Sequence, residues 1–117
     1  DLGLPQQQRL FEWAHQRTGE VPLVLESDDV LANPEAMLRA LCRRAGIAFD
    51  PAMLSWPAGR RDSDGLWAAH WYGAVEKSTG FMAPGEATRP VPAHLQDLLA
   101  AAQPYYQALR PHRLVPD

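Results

Sequence analysis

The sequence predicts an α/β fold of which this chain supplies the mainly helical C-terminal portion, with one clear strand. Three observations predict it. Val, Ile and Thr number ten together, against 18 Ala and 15 Leu, a balance that favours helix and starves a large sheet. A single run, Val21-Pro22-Leu23-Val24-Leu25, reads as a strand buried on both faces, and such a strand needs ladder partners to satisfy its backbone. Apolar stripes at helical spacing occupy most of the rest. The 117 residues suit one unit and not two. Asp1-Leu2-Gly3-Leu4-Pro5 reads as mid-protein, so the remaining strands are expected upstream of this segment or on a second chain.

The first helix is expected over about 5–18, because Pro5 suits a first turn, Leu10, Trp13, Ala14 and Arg17 follow on one face, and Gly19 stops it. After the strand, Asn33-Pro34-Glu35 joins a capping side chain to proline and an early acid, and Gly46 follows Arg43-Arg44, so a helix runs over 34–45. Cys42 lies on its apolar stripe with Leu38, Leu41 and Ala45, the setting of a small buried core residue rather than a nucleophile. Asp50-Pro51 repeats the cap-plus-proline device for one or two turns, ending at Trp56-Pro57 because the residue before proline avoids helical angles. Residues 57–65 read as loop. From Leu66 to about 77 the spacing of Trp67, His70, Trp71, Ala74 and Val75 predicts a helix. Its Trp67, Trp71 and Ala74 face is expected to pack in the assembled domain near Leu38 and Leu41, with Trp71→Ala costing about 3–5 kcal/mol. Thr79–Pro92 is punctuated by Gly80, Pro84, Gly85, Pro90 and Pro92 and reads as loop. Residues 92–109 form a helical face that Pro104 kinks or breaks.

Net charge of −3 argues against nucleic acid or an anionic membrane as partner. No apolar run approaches a membrane span. One cysteine allows no internal disulfide and fits a reducing cytoplasm. The four histidines stand apart, without the spacings of a metal site. Glu26-Ser27-Asp28-Asp29 follows the strand, where carboxylates can serve acid–base or Mg²⁺ chemistry, but the same residues also suit a turn into the next helix. The most unusual stretch is 58–71, Ala-Gly-Arg-Arg-Asp-Ser-Asp-Gly-Leu-Trp-Ala-Ala-His-Trp. Arg60 and Arg61 are two adjacent guanidinium forks ahead of a helix N-terminus, a candidate anion site. The competing reading is a solvated loop in which both arginines pair with Asp62 and Asp64.

Two stretches carry a resemblance. Leu23 to Cys42, with its acidic corner and Asn33-Pro34-Glu35, followed by Gly46-Ile47-Ala48-Phe49-Asp50-Pro51, resembles the P-loop sulfotransferases that use 3'-phosphoadenosine 5'-phosphosulfate, PAPS. Arg60, Arg61, Gly65, Trp67, His70 and Trp71 fall in register on that family's late Arg-Lys-Gly-x-x-Gly-Asp-Trp-Lys-Asn-His-Phe loop, and Pro104-Tyr105-Tyr106 to Leu109 resembles its terminal helix. The resemblance implies a three-layer P-loop domain of which residues 1–117 are the C-terminal segment, with the P-loop half and catalytic base upstream. It implies sulfuryl transfer from PAPS to a small-molecule acceptor, with Arg60 and Arg61 binding the 3'-phosphate. Asp62 stands where the family has glycine, which leaves open a different nucleotide donor. A third reading is a non-catalytic helical module whose Trp67, Trp71 and Tyr105-Tyr106 face docks a partner.

Overall fold

A computed structural model describes residues 2–83 and 90–116. Among these residues six helices follow in order, α1 (Leu4–Thr18), α2 (Ser27–Ala32), α3 (Pro34–Ala45), α4 (Ala68–Trp71), α5 (Gly73–Lys77) and α6 (Gln96–Leu109), with 3-10 turns at Pro51–Met53, Ala93–Leu95 and Arg110–His112. The chain is thus mainly helical, as its composition predicts.

Local chemistry accounts for the best-defined ends. Asn33 closes α2 and opens α3: its side-chain oxygen accepts from the Ala36 N–H at 3.3 Å, and Pro34 supplies the first helical residue. Gly46, at φ 70°, ends α3 in the left-handed conformation that a side chain would strain, and its N–H meets the carbonyls of Arg43 and Cys42. Arg39 reaches back to Glu35 at 2.8 and 2.9 Å and lies over the Phe49 ring, 4.1 Å from its centroid, tying the chain beyond α3 to the helix. Asp50 caps the turn at Pro51–Met53 by accepting from the Ala52 N–H at 2.8 Å. Pro104 lies inside α6 without ending it. The missing N–H removes one bond of the ladder, and packing of α6 against α1 carries the helix through.

Met37, Ala40 and Leu114 form the core, with Val30 and Leu41 packed against it, and Cys42 is buried beside them on α3 as its stripe predicts. Leu114 belongs to the segment after α6, whose return to α3 no local pattern announces. It is fastened by backbone: the Leu114 N–H donates to the Val24 carbonyl at 2.8 Å, and Val24 and Arg113 form a parallel bridge. Residues 21–25 are therefore extended but not a strand within this chain. A one-residue bridge is the full extent of their pairing among the described residues, because no second apolar run is present to build a ladder.

The helix expected over 66–77 is instead two short ones, broken at Tyr72 (φ −96°, ψ 10°) ahead of Gly73, whose helix preference is poor. Nor do its indoles face inward here. Trp67 is 73% and Trp71 75% exposed, Ala74 is exposed, and of this stretch only Ala68 is buried. α4 packs on α5 rather than on α3, so the aromatic face does not meet Leu38 and Leu41. A 3.6-residue period marks an apolar face but not what that face meets. The loop expected over 79–92 is irregular at residues 79–83 and 90–92; Pro84 and Gly85 lie outside the described residues.

The surface is large for the chain's size. It exposes 9340 Å², where a folded monomer of this mass exposes about 6,300 Å², and the radius of gyration is 17.0 Å against about 13 Å for a compact domain of this length. Leu10, Trp13, Val21, Leu23 and Leu25 all contribute to the excess.

Candidate functional site

The candidate site is an excursion of the chain closed at its neck. Ser55 and Gly80 pair as an antiparallel bridge, and the Trp56 N–H donates to the Thr79 carbonyl at 3.0 Å. The Trp56 indole N–H donates to Ser78 Oγ at 2.9 Å, that hydroxyl donates to the Val75 carbonyl at 2.7 Å, and the Trp56 ring meets Phe81 edge-on at 5.5 Å. Gly80 permits this closeness: a Cβ there would stand 3.2 Å from the Leu54 carbonyl. Further along, Gly59 turns the chain at φ 117°, and its N–H donates to the Glu76 carbonyl at 2.7 Å.

Arg60 and Arg61 follow at once, both exposed. Among the described residues neither guanidinium is in an ion pair or side-chain hydrogen bond, so the reading in which they pair with Asp62 and Asp64 does not hold. Asp64 is engaged differently: its Oδ2 accepts from the Arg61 backbone N–H at 2.9 Å, while its own N–H donates to the Arg61 carbonyl at 3.0 Å. The helix dipole expected behind the two forks is missing. α4 starts only at Ala68 and has four residues, too few to build a macrodipole. Leu66, at 92% exposed, joins Trp67 and Trp71 in an aromatic and apolar rim, with His70 tilted against Trp67 at 6.5 Å.

The acidic corner serves the architecture. Glu26 accepts from the Tyr106 hydroxyl at 2.6 Å, and Asp29 accepts from Arg113 Nε at 3.1 Å. Two of the three carboxylates thus fasten α6 and the segment after it to α2, which favours the turn-and-helix reading of this corner. Tyr106 and Arg113 escape a reading of sequence because each meets its carboxylate across 80 or more residues. The hydrogen bond to Glu26 raises the Tyr106 pKa above 10.0, with desolvation and the Glu26 charge acting in the same direction. A group raised on folding contributes stability below its unfolded pKa and loses it as pH rises through the folded value. The link is therefore intact at neutral pH and breaks above about pH 10. In an ultraviolet titration, one of the three tyrosines is expected to ionise late, and Tyr106→Phe should abolish that late step.

The structure also brings His15 and His112 to the same ring, Phe11, at centroid distances of 6.4 and 4.9 Å. Beside them a groove of about 540 Å³ runs between α1 and residues 22–25, lined by Leu10, Phe11, Ala14, Leu23, Leu25 and Leu109 among others.

These features define a class: a mainly helical segment with an apolar stretch paired through a single bridge and a basic, aromatic loop displayed on a pinned neck. Comparison with known proteins narrows it. The sulfotransferase domain matches residues 2–113, and the chain belongs to that family. Two proteins of Arabidopsis thaliana, branched-chain-amino-acid aminotransferase-like proteins 1 and 2, are each 42% identical to it over 94 residues, 80% of this chain and 17% of theirs. The chain thus spans under one fifth of the length of these relatives. No solved structure matches it.

Proposed function

We propose that the chain is the C-terminal, mainly helical part of a three-layer P-loop sulfotransferase-like domain, in which Arg60 and Arg61 bind the 3'-phosphate of PAPS. When bound, PAPS supplies an activated sulfuryl group for transfer to the hydroxyl or amine of a small-molecule acceptor. What this chain contributes is anion binding and core helices; the phosphate loop and catalytic base belong to other parts of the domain. Membership of the sulfotransferase domain family supports the reaction class. The observation that carries the site is that both guanidinium groups of a loop pinned at Gly59 and Ser55 are exposed and spend none of their donors within the described chain. A guanidinium fork matches two phosphate oxygens, and hydrogen bonds to charged groups contribute about 1.5–3 kcal/mol. Asp62 beside them is exposed and opposes a dianion; two unit charges about 4 Å apart in water interact by about 1 kcal/mol.

The uncovered apolar surface on residues 21–25 and α1 supports a partner that completes the sheet, in our reading an upstream part of the same domain or a second chain. We place the protein in the cytoplasm on its single unpaired thiol; no described helix is long and apolar enough to cross a membrane. The aminotransferase in the relatives' name is not carried over. The match covers 17% of those proteins, and the family model that matches this chain is that of a sulfotransferase domain. A second reading, a non-catalytic docking module, draws on the exposure of Trp67 and Trp71.

Titrating 3'-phosphoadenosine 5'-phosphate into the full-length protein by calorimetry separates them. Arg60→Ala is expected to weaken binding about tenfold or more, and Asp62→Gly to strengthen it severalfold. Equal affinity in all three proteins, or binding by none, would sink the anion site and promote the docking module.

A further inference from the structure

We infer that Asp64 is a positioning residue for the basic loop: by holding the Arg61 N–H it fixes the turn from which both arginines project, and so sets the affinity of the loop for a phosphate-bearing ligand. This rests on the anion-binding role proposed for Arg60 and Arg61.

The dipeptide is bracketed by two ties. On one side the Gly59 N–H donates to the Glu76 carbonyl at 2.7 Å; on the other the Arg61 N–H donates to Asp64 Oδ2 at 2.9 Å, and the Asp64 N–H returns to the Arg61 carbonyl at 3.0 Å. The first tie is backbone alone, so no side-chain change removes it. The second is made by one carboxylate. Asp62 and Ser63, the residues between, make no side-chain hydrogen bond or ion pair among the described residues. Asp64 is thus the one side chain within 60–64 that orders the backbone there. A ligand that binds a disordered loop must bear the cost of ordering it, and a turn already closed lowers that cost.

The same carboxylate also carries a negative charge close to where the anion would sit. Its two effects on affinity have opposite signs, and substitution separates them. Asparagine keeps an oxygen that accepts the Arg61 N–H and discards the charge; alanine discards both. If Asp64 positions the loop, Asp64→Ala should bind 3'-phosphoadenosine 5'-phosphate about fivefold more weakly than Asp64→Asn, which has lost the same charge; that is the scale of one solvent-exposed hydrogen bond. Asp64→Asn should bind at least as tightly as wild type. A charge acting alone would make both variants bind more tightly by a similar factor.

The experiment is calorimetric titration of that nucleotide into the full-length protein and both variants, with thermal melting to confirm folding and backbone ¹⁵N relaxation at Arg61 as a readout that needs no ligand. Weaker binding in Asp64→Ala than in Asp64→Asn and a lower Arg61 order parameter in Asp64→Ala alone establish the positioning role. Binding by wild type with equal affinities in Asp64→Ala and Asp64→Asn, or an Arg61 order parameter that Asp64→Ala leaves unaltered, overturns it while the anion site stands. No binding by wild type removes the anion site itself, and the positioning role with it.

Discussion

Met37→Ala is expected to lower stability by about 2–5 kcal/mol, the range for deleting a buried methionine side chain when the surroundings relax incompletely. Met37 is 1% exposed and is the largest fully buried side chain among the described residues. It sits at the centre of the contact among α3, Val30 and the returning Leu114, so the void opens where two distant parts of the chain meet. Urea denaturation of the protein and the variant, with the slope unchanged and the midpoint lowered, checks this. The same measurement on the 117-residue chain should find Trp71→Ala within about 0.5 kcal/mol of wild type, as for other exposed positions. That reverses the ranking expected from periodicity, by which Trp71 is a core residue. A cost of several kcal/mol for Trp71→Ala in a longer protein would show that another segment covers this face.

Removing the residues after Leu109 is expected to cost about 3 kcal/mol or more. Leu114 is 8% exposed within the core, and losing a buried leucine side chain costs about 2–5 kcal/mol. The bond from the Leu114 N–H to the Val24 carbonyl adds about 0.5–1.5 kcal/mol. The ion pair of Arg113 with Asp29 is about one-third exposed on both sides and adds little. Because this segment pairs with Val24, the truncation should also free residues 21–25, and hydrogen exchange at Val24 and its neighbours is expected to accelerate alongside the fall in denaturation midpoint. A truncated chain as stable as the parent would show that the tail merely rests on α3.

These two results bear on what a sequence can disclose. α3 was legible to the residue because everything that starts and stops it is local: the Asn33 cap, Pro34, and a glycine at the left-handed position Gly46. α2 was not. Ser27-Asp28-Asp29 reads equally as a turn, and what favours six residues of helix there is contact with Tyr106 and Arg113, which no window of sequence contains. Pro104 shows the converse, a strong local breaker overruled by packing of α6 on α1. The run 21–25 announced an extended, apolar segment, but its pairing with Arg113 lay beyond any local signal. At the site, adjacency made Arg60 and Arg61 conspicuous. Their freedom from Asp62 and Asp64, and the use of Asp64 as a backbone acceptor, depend on the geometry of a turn and not on composition.

The neck at Ser55 and Gly80 has a consequence for how such a chain can change over generations. Its bridge brings the two ends of the excursion together whatever lies between them, and lengthening a closed loop is cheap, about 0.6 kcal/mol for each doubling. Residues can therefore be added, lost or exchanged between Arg60 and Trp67, ahead of the buried Ala68, with little strain passed to α1, α3 or α6. The excursion is a cassette: the part of the molecule in which ligand preference can diversify while the scaffold that carries it stays the same.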